Sequence, residues 1–351
     1  MNLEIAELID PCEGPAITVD CMMERVAQMP ETQYLFRGIV NPSLGVVFGP
    51  AKSGKSIFIE SMLLTISSGQ ATFIGDKLNS SSPKVLLFSL EEFYKSRTDR
   101  NKKQIDFING SNNLPENWTQ NFFVIDDSFP RYIHNKEDWE LLESQIVRIK
   151  PSVVLIDSLS RLTTEAIEDS VVASLLMKRL REIVHKYQIV LIVIHHTPKI
   201  DNKALTISSL AGSRIIGQEV DFMIGINRTS QNIRYIKDVA YRYAPDDAEK
   251  VLKFKINDSQ IVQTLGYFTE AELLMGGAGD VSNHSDELVI QYFKENITAE
   301  NAILKTASLY KDLVVTRYMS KPTLHEALDR LVKSGSIIKH QKGEWKLAIA
   351  S

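Results

Sequence analysis

The chain has 351 residues, 44% of them hydrophobic and 24% charged, and a net charge of −4. Those are the values of a soluble globular protein, long enough for a large core and a second small domain. They exclude a surface coated in positive charge for nucleic acid, while a local basic site stays open.

The N-terminal stretch "MNLEIAELIDPCEGP" is acidic and lacks the basic start of a secretory signal. Cys12 and Cys21 make neither a disulfide framework nor a metal-ligand spacing. The longest apolar runs, such as Ile189–Ile194, are too short to cross a bilayer, so a cytoplasmic protein without membrane contact is expected.

From Leu44 to Ile226, apolar strand-like runs alternate with helix-like segments. The strand candidates are Leu44–Phe48, Val85–Leu90, Phe122–Ile125, Val153–Ile156, Ile189–Ile194 and Phe222–Ile226. Several are almost wholly apolar, as strands covered on both faces of a parallel sheet must be. Between them Ile57–Ile66, Trp139–Ile149 and Val171–Tyr187 have helical length or spacing. The class expected is α/β with right-handed crossovers. "RYIKDVAYRY" and "VLKFKINDSQIVQTLG" then alternate as antiparallel strands extending the sheet.

Between the first strand and the first helix, "VVFGPAKSGKSIFIE" contains Gly49, Gly54, Lys55 and Ser56 in the pattern G-x-x-x-x-G-K-[ST]. The glycines permit backbone conformations in which successive N–H groups converge on an anion. The following helix adds its positive N-terminal end. Gly49, Pro50, Ala51, Lys52, Ser53, Gly54, Lys55, Ser56 and Ile57 are therefore expected to bind ATP. Lys55 would reach the β- and γ-phosphates, and Ser56 would serve Mg²⁺.

"SVVLIDSLSRL" ends an apolar strand in Asp157, the residue type that joins Ser56 in holding Mg²⁺ in phosphate-loop enzymes. "VLLFSLEEFYKSR" ends another strand in Glu91 and Glu92. One of them is placed to act on the attacking water, and Glu91 is preferred; a first-turn helix acid is the other use of such a residue. "IVLIVIHHTPK" carries His195 and His196 at a third strand end. Adjacent strand residues point to opposite faces, which argues against a joint metal site.

In this order, "FGPAKSGKS", "FSLEE", "VLIDSLSRL", "VIHHTPK" and "SSLAGSRIIGQEVDFMIGINR" resemble the RecA/DnaB superfamily. The resemblance is strongest to the RepA-type hexameric helicases of plasmids and related AAA-family ATPases, over about residues 33–266. It implies a RecA-like core, Glu91 acting on water, Asp157 serving Mg²⁺ and His196 sensing the γ-phosphate. It also implies a trans-acting arginine finger, with Arg214 as the candidate and Arg242, with Lys237, competing for the role. The polar segment "PKIDNKALTISSLA" corresponds to the family's channel loop, in which Lys199 and Lys203 would meet single-stranded DNA.

Residues 275–286, "MGGAGDVSNHSD", read as a flexible linker. Beyond them residues 285–351 hold ten Lys and Arg against eight Asp and Glu, about +2 while the remainder is about −6. "SKPTLHEALDRLVKSGSIIKHQKGEWKLA" resembles the second half of a winged helix. Ser320 would cap a helix carrying His325, Arg330 and Lys333, and a wing hairpin would carry Lys339, Lys342 and Lys346. A protein-docking winged domain is the other reading of the same pattern.

The expected organisation is an N-terminal segment (1–32), an ATPase domain (33–274), a linker (275–286) and a winged-helix-like domain (287–351). The expected function is an ATP-hydrolysing DNA motor, forming a homo-oligomeric, hexameric ring and acting in replication or mobile-element maintenance. The alternative is a non-motor, nucleotide-gated DNA-binding regulator or a recombination or replication accessory ATPase.

Overall fold

A computed structural model describes residues 12, 14, 16–29, 32–78, 82–111, 114–198, 200, 203–210, 214–229, 232–244, 250–274, 280–296, 303–315 and 321–347. It divides into two units, Met1–Gln33 and Tyr34–Ser351. The first holds helix α1 (Val19–Ala27), whose N-cap Thr18 accepts from the Cys21 amide. Cys12 and Cys21 are joined there as a disulfide, a pairing the sequence reading does not anticipate. The local fold brings the two Cα atoms to 5.4 Å of each other.

The second unit opens with a short ladder of β1 (Tyr34–Phe36) and β2 (Ile39–Val40). Then follow β3 (Ser43–Pro50), α2 (Lys55–Ser67), and a second short ladder of β4 (Thr72–Phe73) and β5 (Asp76–Lys77). The crossovers continue with β6 (Val85–Ser89), α3 (Tyr94–Asn109), β7 (Phe122–Val124), α4 (Lys136–Ile149), β8 (Val153–Asp157), α5 (Ser170–Tyr187) and β9 (Val190–Thr197). After them come α6 (Arg214–Glu219), β10 (Phe222–Arg228), β11 (Arg234–Tyr241), β12 (Lys250–Ile256), β13 (Val262–Thr269) and α7 (Glu270–Leu274).

Nine of these strands form one sheet in the order β13-β12-β11-β10-β3-β9-β8-β6-β7. Pairing is parallel from β10 to β7 and antiparallel from β10 to β13, so the α/β class and the antiparallel extension are both as expected.

The apolar strands feed two cores by simple alternation. Val46, Phe48, Leu86, Phe88, Val154, Ile156, Leu191 and Val193 face the layer containing α4 and α5. Val47, Val85, Leu87, Val153, Leu155, Val190 and Ile192 face α2. α2 is buried on nearly every side from Phe58 to Ser67, which is why its sequence lacks a polar stripe. α3 differs: among its buried residues are Arg97 and Gln104, and Arg100 ties it to Glu60 of α2 at 2.8 Å.

Toward the C-terminus come α8 (Asp280–Asn296), β14 (Leu304–Lys305), α9 (Thr306–Leu309), α10 (Lys321–Lys333), β15 (Ile337–Gln341) and β16 (Glu344–Leu347). The expected hairpin is β15 with β16, and β14 adds a third strand. Val289, Phe293, Leu309, Leu324, Leu328, Ile337 and Trp345 make a core of their own. The helix begins at Asp280, inside the stretch expected as linker, whose residues 275–279 lie outside the described ones. Asp286 receives Arg330 of α10 at 2.9 Å, and once Val289 and Phe293 are packed the helix extends backward one hydrogen bond per residue. The expected cap Ser320 lies outside the described residues.

At the centre of the main sheet Gly45 pairs with Phe222. A Cβ on Gly45 would come within 2.0 Å of the Phe222 ring, which is itself fully packed. Gly45→Ala is therefore expected to lower stability by about 1–3 kcal/mol or more through overpacking, measured by denaturant or thermal melts. A wild-type melting curve would refute this account of the sheet centre.

Candidate active site

Parallel register delivers the site. Asp157 pairs with Ser89 on one side and with Ile194 on the other, and Val47 pairs with Ile194. Two residues further along the neighbouring strands or their exits stand Glu91, His196 and Gly49, the last two paired with each other. The carboxyl ends of β3, β6, β8 and β9 thus bring together residues 47 to 196 of the sequence at one sheet edge, where ligands of open α/β sheets bind.

The loop between β3 and α2 has the backbone that the glycine pattern implies. Gly49 has φ 151° and Gly54 φ 103°. A Cβ at Gly49 would approach Ile226 O to 1.9 Å, so only glycine fits there. Lys52 also adopts positive φ, at 62°. Lys55 is 3% exposed, and its Nζ donates to Gly49 O at 2.8 Å and Pro50 O at 2.7 Å. Burial pulls its ammonium down to about 8, against the opposing pull of Asp157 and Glu91.

Ser56 Oγ donates to Asp157 Oδ2 at 2.5 Å. Burial pushes the Asp157 carboxyl up, and the Ser56 hydrogen bond works against it. A hydroxyl and a carboxylate this close, beside a loop shaped for phosphates, form an oxygen donor set suited to Mg²⁺. When bound, that ion would neutralise charge on the phosphates.

Glu91 stands opposite. His196 Nε2 lies 3.3 Å from Glu91 Oε2, Ser158 donates to Oε1, and Arg161 Nε is 3.7 Å away. The His196 hydrogen bond, with help from Ser158 and against desolvation, lowers the Glu91 carboxyl to about 2. Glu91, Asp157 and His196 offer ligand atoms within 4.8 Å of one another. Glu92 goes elsewhere, paired with Arg100, which also grips Glu60. Arg131 donates to the backbone carbonyls of Ser89 and Glu92 at 3.0 and 3.1 Å and holds this turn.

Of the trans-acting candidates, Arg214 opens α6, and its side chain lies outside the described ones. Arg242 is half-exposed and 3.2 Å from Asp221. Lys237 is buried and ion-paired with Glu270, so it does not reach outward. In the polar segment Lys203 is exposed and Lys199 lies outside the described residues. Lys333 and Lys342 are exposed, whereas Arg330 is engaged by Asp286. Sequence reasoning did not single out Ser158, Arg161 and Arg131. The first two are visible only as the polar residues of "DSLSRL" directly after Asp157.

The low position of Lys55 has a consequence for binding. At about pH 9 its amine is mostly neutral, and a triphosphate placed beside it restores the proton. The sign follows from a folded value below the ordinary 10.5: between about pH 8 and 10.5 the free protein lacks a proton that the complex regains. Calorimetry in two buffers of different ionisation enthalpy should find about one proton taken up on nucleotide binding at about pH 9 and close to none at about pH 7. Lys55→Met should abolish the uptake; uptake that survives in that variant would assign it to another group.

Compared with known proteins, the chain matches the AAA domain family over residues 18–202, more than half its length. Among solved structures it is similar to the KaiC-like protein PH0186 from the hyperthermophilic archaeon Pyrococcus horikoshii OT3. Identity is 12% and the TM-score 0.46, over 64% of this chain and 90% of that one. It is also similar to a second solved ATPase domain, with 17% identity and a TM-score of 0.45 over 64% and 85% of the two chains. No curated protein matches the sequence. Among the described residues no helix is long and apolar enough to cross a membrane. The chain is an ATPase with a RecA-like α/β core, and it belongs to the AAA domain family.

Proposed function

We propose that the chain is an ATP-driven DNA motor of the RepA/DnaB helicase type, cytoplasmic and working as a hexameric ring on single-stranded DNA. The observation that carries its chemistry is the meeting of Glu91, His196, Asp157 and Ser56 at one sheet edge. Lys55 binds the phosphates, Ser56 and Asp157 hold Mg²⁺, and the ionised Glu91 accepts from the attacking water and orients it. Losing the His196 contact would return the Glu91 carboxyl toward its ordinary range, so His196 is placed to set how basic Glu91 is. Arg214 is the finger that stabilises the transferring phosphoryl group of a neighbouring subunit.

The motor reading is supported by the ordered motifs from Gly49 to Arg228 and by the exposed Lys203 in the segment after His196. The C-terminal domain, with helix α10 and hairpin β15–β16, is read as a winged helix meeting duplex DNA through Lys333 and Lys342.

Glu91→Gln should bind ATP and lower turnover by about 10²–10⁴-fold. Glu92→Gln should leave turnover near wild type, because Glu92 serves Arg100. The reverse result would exchange the two assignments.

The ring is tested by mixing. Arg214→Ala and Lys55→Ala should each be nearly inactive, with losses of about 10³–10⁵-fold for the finger. Combined, some subunit boundaries pair an intact Lys55 loop with an intact Arg214, and activity should partly return. A fully active Arg214→Ala beside a dead, mixing-rescued Arg242→Ala would move the finger to β11. ATPase rates independent of single-stranded DNA and of protein concentration, together with no unwinding of a forked substrate, would reject the motor.

A further inference from the structure

The polar segment after β9 is tied to the sheet at Leu205, a fully buried residue. Its side chain occupies the space left by Gly225 of β10, where a Cβ would come within 2.8 Å of Leu205 Cδ1. Gly225 pairs with Lys237 on β11, and there both backbone groups of Leu205 are captured. Glu270 Oε1 accepts from the Leu205 N–H at 2.7 Å, and Lys237 Nζ donates to the Leu205 carbonyl at 2.9 Å. Lys237 and Glu270 are ion-paired with each other. Glu270 also accepts from Tyr235 Oη at 2.8 Å, and Tyr235 Oη accepts from Asn227 Nδ2 at 3.1 Å. Every one of these residues is buried.

An ion pair removed from water is tolerated only when its remaining donors and acceptors are filled. Here the loop backbone fills them. The next residue of β10 connects this anchor to the nucleotide. Ile226 presents its carbonyl against Gly49, and Gly225 pairs with Phe48, the residue that leads into the phosphate loop.

We propose that Lys237 and Glu270 are positioning residues that pin the polar loop through Leu205 to the part of β10 backing the phosphate loop, so that the two loops move together. The pin is a geometric claim of its own. Its use in transmitting ATP turnover to DNA rests on the motor reading above.

Two measurements test it on the full chain. In the wild type, hydrogen exchange should find the Leu205 amide as protected as those of the central strands, while Ala204 and Thr206 exchange quickly. A fast-exchanging Leu205 amide overturns the pin.

The double variant Lys237→Met/Glu270→Leu removes both charges at once and so leaves none buried and unpaired. Trypsin should then cut after Lys203 about tenfold faster. Basal ATPase should stay within about twofold, and stimulation by an oligothymidine single strand should be lost. Glu270→Gln, which keeps an acceptor for the Leu205 amide, should retain most of the protease resistance. Wild-type cleavage and wild-type stimulation in the double variant refute the proposal. Should oligothymidine fail to stimulate the wild-type protein, the DNA reading fails, and exchange and cleavage still decide the pin.

Discussion

The structure depends on four parallel strands ending level with one another. A strand end fixes one residue, and hydrogen-bond register fixes which residues of its neighbours stand beside it. Because Asp157 is in register with Ser89 and Ile194, a group two residues beyond either comes out beside it at the same edge. Glu91 and His196 are those groups. A slip of one residue in β8 would turn Asp157 to the opposite face and separate it from Ser56. The burial of these strands on both faces therefore fixes the chemistry as well as the fold: two apolar cores make any other register costly.

Charge placement settles what register leaves open. Glu91 and Glu92 are adjacent, and nothing in the strand itself says which of them faces the nucleotide. Arg100 decides it by taking Glu92 together with Glu60. Glu60 sits in a helix surrounded by apolar residues, and burial pushes its carboxyl up while Arg100 pulls it back. Truncating Arg100 would leave a carboxylate buried without a partner, a costlier state than either residue absent with its mate. The arrangement ties α2, α3 and the end of β6 into one unit and leaves Glu91 to His196, Ser158 and Arg161.

The apolar runs and the glycine-lysine-serine loop were legible in the sequence because each follows from a local rule. Strands covered on both faces must be apolar, and a phosphate cradle needs glycine where a Cβ would strike Ile226 O. α3 was not legible. Its sequence "YKSRTDRNKKQIDFIN" has hardly any apolar period, and its anchor is Arg100 reaching residues 8 and 40 positions away. The start of α8 was missed for a similar reason, since Asp286 is secured by Arg330, 44 residues later. Lys237 shows the limit most clearly. By sequence it sits on a strand where a lysine could face a neighbouring subunit, and only the contact with Glu270, 33 residues on, shows that it turns inward.

That inward turn bears on how the sheet serves two tasks. β10 is the last strand of the parallel half and the first of the antiparallel extension. Its parallel side, at Gly225 and Ile226, abuts Phe48 and Gly49, and its antiparallel side brings Lys237 beneath Leu205. Both glycines are needed because backbone or side chain of another segment occupies the space their Cβ atoms would take. The antiparallel strands consequently do more than widen the sheet. They bring a buried ion pair to the one place where the segment leaving His196 can be fixed against the strand behind the phosphate loop.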